Sequence, residues 1–304
     1  ENGEPQGQTY TVSFVGGEGY SFLSDAFTYD KQTQSASVTV TEGDTLSFSL
    51  DVGAFYTGTP TVYAGSVVLS ANEDVYAMQV NGDTTVTVNG IIKDSSDMLG
   101  TGEMDDAFVV SKPIDLLYIA EQVNSGNERY RSGAYILAND IDCKGEELKI
   151  IGDGTPDENG DMQGFFSGCF SCVTDEETDA MQRYTISNFV INTTDKNYVG
   201  LFGCVQADLT NDSSGLFYGI RLADFTINVS ADNLEAGNET IYCGSLIGFG
   251  VGVRAYLCDA TNGNINLAAD SNYFSYAGGL IGVQQGRYLA DYGDISPAEI
   301  AYSY

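Results

Sequence analysis

Apolar and polar positions alternate one by one along much of residues 8–92. Tyr10, Val12 and Phe14 are separated by Thr and Ser; Val38 and Val40 repeat the pattern, as do Leu46, Phe48 and Leu50, then Val86 and Val88. A period of two places such residues on one face of a strand. Turn-forming runs divide the segments: Glu42-Gly43-Asp44, Tyr56-Thr57-Gly58-Thr59-Pro60 and Asn81-Gly82-Asp83. Short, half-buried strands at this spacing predict an immunoglobulin-like β-sandwich over residues 1–92, one that has neither Cys nor Trp. Residues 93–106 lose the alternation and become polar and acidic, as an interdomain linker does.

The period then lengthens. Leu116, Ile119 or Ala120, and Val123 fall on one helical face, with Ile114 and Leu117 beside them. Ser111, Pro113 and Asp115 mark a start and Asn124-Ser125-Gly126 an end, so one helix is predicted over 113–124. Beyond it the pattern is β-rich and self-similar. Tyr198-Val199-Gly200-Leu201-Phe202-Gly203 reappears as Tyr242-Cys243-Gly244-Ser245-Leu246-Ile247-Gly248 and as Tyr276-Ala277-Gly278-Gly279-Leu280-Ile281-Gly282. The final glycines are 45 and 34 residues apart, which points to an inserted loop in 231–240 or around 211–215. Each motif follows a β-rich run: Phe189-Val190-Ile191-Asn192, Phe225-Thr226-Ile227-Asn228-Val229 and Asn264-Ile265-Asn266-Leu267. Repeats of this length that cannot bury their own faces must stack. We therefore expect a parallel β-solenoid over 107–304, with the helix closing its first coil and Gly203, Gly248 and Gly282 at equivalent corners. Ser296-Pro297-Ala298-Glu299 carries a helix-start signature and predicts a short helix packed against the last coil.

The segments Val38–Phe48, Tyr56–Val62 and Gly82–Ile91 resemble a module common in Gram-positive surface proteins. The second half is similar to GLUG-repeat bacterial surface proteins. The likeness rests on Phe108–Gly126, Tyr135–Asp142, Ile151-Gly152, Phe165–Gly168, Tyr184–Ile191 and Tyr198–Gly203, and covers roughly Phe108 to Gly286. It implies an all-β chain: a sandwich followed by a right-handed parallel β-helix with an N-terminal capping helix. It also implies an exported protein at the bacterial cell surface, an adhesin or stalk segment whose partner is a glycan or protein of a host or neighbouring cell. Similar repeats accompany surface metallopeptidases, so an accessory region of a surface protease is an alternative. The acidic run Asp153–Asp161 departs from the family pattern.

Charge narrows the partners. The chain carries 12 basic and 43 acidic residues, a net charge of −31, which repels phosphate backbones and anionic membrane surfaces. We expect no nucleic-acid partner. No membrane insertion is expected either, since the most apolar run, Gly244–Val253, is too short and glycine-rich to span a bilayer. Glu1 opens no signal peptide and Tyr304 ends no sorting motif, so an exported protein would be present here in mature or trimmed form. Histidine is absent, which removes Ser-His-Asp and Cys-His catalysis and His-based zinc sites.

What chemistry remains is carboxylate, thiol and aromatic. Asp140 and Asp142, two apart, are the candidate pair for a carbohydrate-active β-helix enzyme; their alternative role is to cap a turn. Asp153, Asp157, Glu158 and Asp161 have the oxygen chemistry of calcium but not the EF-hand order. Cys169 and Cys172 form a single CxxC with no second pair; with Cys143, Cys204, Cys243 and Cys258 they read as small buried core residues, with at most one disulfide. Tyr273, Phe274 and Tyr276 are read as core and rim residues before a ligand surface. On balance no catalytic, cofactor or metal residue is assigned, and the chain is expected not to be an enzyme.

Overall fold

The computed structural model describes residues 7–173, 182–208, 214–234, 240–268, 273–289, 294–296 and 299–301. Strands hold 51% of the residues and helices 6%, so the chain is mostly β. It divides into two compact units, Glu1–Ser95 and Ser96–Tyr304.

The first unit has two sheets. One runs Ser35–Thr41, Thr9–Val15, Thr84–Lys93, Tyr56–Ala64, Val67–Leu69; the other runs Tyr20–Leu23, Thr45–Val52, Val75–Gln79, Ala71–Asn72. All neighbours are antiparallel except the first strand and Thr84–Lys93, which are parallel. The alternating residues meet in one core: Val12, Phe14, Val62, Val86 and Val88 from one sheet, Phe22, Leu46, Phe48, Tyr76 and Met78 from the other. The Phe14 ring meets Phe22 and Phe48 edge-on at 5.0 and 5.1 Å, a geometry that adds about 0.5–1.5 kcal/mol per pair beyond burial. Val38 and Val40 are only partly buried because their strand lies at the sheet edge.

The second unit opens with helix α1 (Pro113–Asn124), which buries Ile114, Leu116, Ile119, Ala120 and Val123. Lys112 stands at the N-cap and has no oxygen to offer. Asp115, 1% exposed, does the capping from inside the first turn. Its Oδ2 accepts the Ser111 and Lys112 amides at 3.0 Å each and its Oδ1 accepts the Ser96 hydroxyl at 2.8 Å, charge-assisted bonds that fix the helix start. A second helix, the single turn Glu128–Arg131, was not legible in the pattern.

Among the described residues, five parallel ladders follow. The first holds Phe108–Val110, Ala134–Leu137, Cys169–Cys172, Leu216–Tyr218, Arg254–Tyr256 and Glu299–Ala301; the second Ile141–Asp142, Thr185–Ser187, Arg221–Ala223 and Asp259–Thr261; the third Val190–Thr193, Thr226–Ser230 and Asn264–Ala268. The fourth holds Tyr198–Val199, Thr240–Cys243 and Phe274–Ala277, and the fifth Phe202–Gln206, Ile247–Val251 and Ile281–Gln285. From Thr185 onward the chain visits them in one fixed order and returns to the first. Register repeats accordingly: Tyr198, Tyr242 and Tyr276 are aligned, as are Ile191, Ile227 and Ile265. Inward residues such as Phe170, Phe217, Ile186, Leu222 and Phe202 are fully buried, each worth about 1.5–3 kcal/mol of apolar transfer.

Two expectations need correction. Gly203, Gly248 and Gly282 do share a register position, but they lie inside strands of the fifth ladder rather than at corners. They are small because backbones of adjacent elements approach there: a Cβ on Gly248 would sit 2.6 Å from the Val199 nitrogen and 2.8 Å from the Gly203 oxygen. The corners between the second and third ladders use left-handed residues instead, Lys144, Asn188, Asp224 and Asn262, with φ between 51° and 53°. Asn and Asp adopt that conformation most readily among residues with a side chain.

The second correction is the helix expected from Ser296. Asp294–Ser296 is a strand antiparallel to Arg287–Leu289, and Glu299–Ala301 runs parallel to Arg254–Tyr256; Pro297 and Ala298 lie outside the described residues. One helical turn gives a poor return on its nucleation, whereas a strand added to an existing ladder is bonded at once.

Candidate functional site

The carboxylate pair is built into a corner. Asp142 ends its strand and Asp140 precedes it. Asp140 Oδ1 accepts the Thr185 amide at 2.8 Å; Asp142 Oδ1 accepts the Lys144 amide at 2.8 Å and the Asn188 side-chain amide at 2.9 Å. Both carboxylates therefore tie one pass of the chain to the next, the turn-capping role weighed against catalysis above.

The acidic loop folds as a hairpin with a bridge between Pro156 and Met162. Asp157 Oδ1 accepts the Asn159 and Asp161 amides at 2.8 and 3.0 Å, and these bonds hold its carboxyl below the usual range. Asp153 is engaged on both oxygens: Oδ1 takes the Thr155 amide at 3.0 Å, and Oδ2 faces Lys196 Nζ at 3.0 Å. Asp161 joins the Asp157 group through its backbone, its amide on the Asp157 carboxylate and its carbonyl accepting the Asp157 amide at 2.7 Å. Among the described residues no three Asp, Glu, Cys or His side chains converge as metal ligands do.

Cys169 and Cys172 lie in one strand, three residues apart, so they project to opposite faces. All six cysteines are free and buried. Burial pushes the Cys143, Cys243 and Cys258 thiols up to about 12, and Cys169 and Cys204 to about 11. Such thiols are poor nucleophiles near neutral pH. Cys243 stands in register between Val199 and Ala277, the place of a small core residue.

Of the core and rim positions expected for the aromatic group, the structure shows exposed and partly buried ones. Phe274 is 68% and Tyr276 51% exposed, while Tyr273 is partly buried. Tyr276 stacks on Tyr242, and Tyr242 on Tyr198, each pair 5.6 Å apart with planes within 9°. Phe249 joins them at 5.0 Å from Tyr242 and 5.7 Å from Tyr198.

At the Tyr198 end of this row lies a cleft of about 390 Å³ between the acidic hairpin and the turn after the third ladder. Its wall includes Asp153, Thr155, Asp195, Lys196, Tyr198 and Asn233. Lys196 sits between two carboxylates, 3.0 Å from Asp153 and 4.0 Å from Asp195. Asn233 donates its side-chain amide to Thr194 Oγ1 at 2.8 Å and its backbone amide to the Thr194 carbonyl at 2.8 Å.

Sequence reasoning missed Lys196 and Asn233, which carry no motif. It also missed the role of the asparagines in the repeated Ile-Asn pairs. Asn228 Nδ2 donates to Asn192 Oδ1 and Asn266 Nδ2 to Asn228 Oδ1, both at 2.8 Å, and Asn192 donates to Glu147 at 2.9 Å. The signal was present as Ile191-Asn192, Ile227-Asn228 and Ile265-Asn266. Among the described residues no helix is long and apolar enough to cross a membrane. Comparison with known protein families, with curated proteins and with solved structures finds no match.

Proposed function

We propose that residues 107–304 form a right-handed parallel β-helix of the GLUG-repeat kind, that residues 1–92 form an immunoglobulin-like sandwich, and that the chain is a non-catalytic extracellular segment of a bacterial surface protein. In this reading it is an adhesin or stalk that presents a stacked surface to a glycan or protein. The observation that carries the reading is how the carboxylates are used: Asp140 and Asp142 are hydrogen-bonded to the next pass of the chain. Helix α1 suits a cap, because Asn124 accepts the Gly152 and Asp153 amides at 2.7 and 3.1 Å and donates to the Ile150 carbonyl at 2.8 Å, satisfying backbone groups at the start of the ladders.

The test is incubation of the purified chain with neutral and acidic polysaccharides, with reducing ends measured over time. The reading expects none to be released, and expects Asp140→Asn with Asp142→Asn to lower stability. Release that disappears in the double variant would overturn it in favour of a carbohydrate-active enzyme.

A further inference from the structure

The cleft beside Tyr198 is where the irregular parts of the chain meet the regular ones. The hairpin interrupts the first pass of the fifth ladder, between Ile151, bridged to Phe202, and Phe166, bridged to Val205. Asn233 lies in the connection from Thr226–Ser230 to Thr240–Cys243, longer than the preceding one from Val190–Thr193 to Tyr198–Val199. Loops lengthened on a rigid frame are where binding residues gather. The volume, about 390 Å³, is within the range of small-ligand sites.

Its chemistry is amide, hydroxyl and aromatic. Thr155 and Asn233 line it with a hydroxyl that donates to Asp153 and a carboxamide whose nitrogen donates to Thr194, which leaves their oxygens as acceptors, and Lys196 has three donors, one of them directed at Asp153 and another side facing Asp195. The stacked row Tyr198, Tyr242, Tyr276 with Phe249 leads away from the cleft, half-buried at Tyr198, Tyr242 and Phe249 and exposed at Tyr276. Polar groups beside aromatic bodies match a sugar, whose hydroxyls and C–H face need both. Charge sets the class further. Asp153 neutralises Lys196, Asp195 remains, and the molecule carries −31, so uronic, sulfated or phosphorylated groups are repelled.

We propose that this cleft and the adjoining tyrosine row bind a neutral glycan chain. The inference rests on the surface-protein reading above and names its ligand class. A basic peptide would be attracted by the same net charge, but the cleft's own cation and its neutral amide and hydroxyl groups favour the sugar.

The experiment is calorimetric titration of the full chain with hexamers of β-1,4-glucose, α-1,4-glucose, mannose and N-acetylglucosamine, with polygalacturonate and oligolysine as comparators. At least one neutral hexamer should bind with a Kd of about 10 μM to 1 mM. Asn233→Ala and Tyr242→Leu should each weaken it about tenfold or more, and Tyr242→Phe should retain it. No neutral hexamer binding at about millimolar concentration would overturn the proposal, as would variants that bind like the parent or oligolysine as the sole ligand. Reducing-end release in the same mixtures separates the two readings. Binding with release sinks the non-catalytic reading and keeps the glycan site. Neither binding nor release removes the glycan site alone.

Discussion

Gly248→Ala tests the packing of the ladders at one atom. The added Cβ would lie 2.6 Å from the Val199 nitrogen, 2.8 Å from the Gly203 oxygen and 2.8 Å from the Tyr242 oxygen. An ordinary contact is about 3.4 Å or more, so the neighbours must retreat by roughly 0.6–0.8 Å. They are backbone atoms of residues anchored through their other backbone groups: Gly244 N to Val199 O is 3.0 Å and Gly203 N to Ile151 O is 2.8 Å. None is the end of a flexible side chain, so the strain cannot be absorbed by a rotamer change. Overpacking of this kind costs about 1–3 kcal/mol, a fall in Tm of roughly 2–10 °C for a unit of this size. Gly279→Ala is the control. It belongs to the same repeat motif, and a Cβ there meets nothing within 4 Å. Thermal and urea unfolding followed by circular dichroism should show Gly248→Ala clearly destabilised and Gly279→Ala within about 0.5 kcal/mol of the parent. Equal stability of the two variants would refute the close-approach argument.

Other perturbations address the corners, the cap, the asparagine row and the thiols. Asn188→Leu puts a poor left-handed residue at φ 53° and deletes the bond to Asp142; urea unfolding should show a loss of about 1–2 kcal/mol. Asp115→Ala strands two backbone amides at the start of α1, and should cost about 2–4 kcal/mol and speed hydrogen exchange over residues 111–116. Asn228→Asp replaces a donor facing Asn192 Oδ1 with an acceptor, so it should be about 1–2 kcal/mol less stable than the parent at pH 7, and closer to it once the carboxyl is protonated. The raised thiols stay protonated in the folded chain while an unfolded thiol ionises from about pH 9. Their contribution is therefore intact below pH 9 and lost as pH climbs toward about 12, and stability should fall over that window. A thiol reagent at pH 8 should react slowly with the native chain and with all six cysteines in denaturant; a thiol that reacts natively at the rate of free cysteine would contradict the burial.

The sequence specified most where a periodic pattern met a single driving force. Alternation located Val12, Phe14, Leu46 and Phe48 because the two sheets of the first unit share one core and each strand has one wet face. The helix Pro113–Asn124 was readable to its ends because its apolar face, proline and terminal asparagine agree. The repeated tyrosines were visible as repeats, and their alignment follows directly from that. The corners were not readable in the same way. A glycine can be required by a positive φ or by a close backbone, and composition does not distinguish the two; at Gly248 the second applies. Asn188, Asp224 and Asn262 carry the turn, yet each is a single polar residue among many. Lys196 and Asn233 were invisible because the cleft brings together separate passes of the chain, and no local spacing records that. The strand Glu299–Ala301 was misread because a strong local helix signal competed with a ladder that only the folded neighbour, Arg254–Tyr256, supplies.

Stacking in register imposes a condition on a chain of net charge −31. Aligned residues on neighbouring strands are close, and like charges set opposite one another are destabilising. Among the described residues no ladder register sets two carboxylates opposite one another. Asp142 is opposite Ser187, and Asp259 is opposite Arg221 and paired as well with Arg183. The long aligned rows are neutral: three tyrosines, three asparagines, and apolar residues inside. Acidic residues concentrate instead in connections, as in the run Asp153–Asp161 and at the Asp224 corner, where asparagines flank the carboxylate in register. Among the described residues most carboxylates thus stand in turns and loops, and the rows that hold the strands in register are left to hydrogen bonds and ring stacking. This division explains how the chain is both strongly acidic and regularly repeated. It also means that the surface along the rows is less charged than the molecule as a whole, which is the kind of surface a neutral ligand can approach.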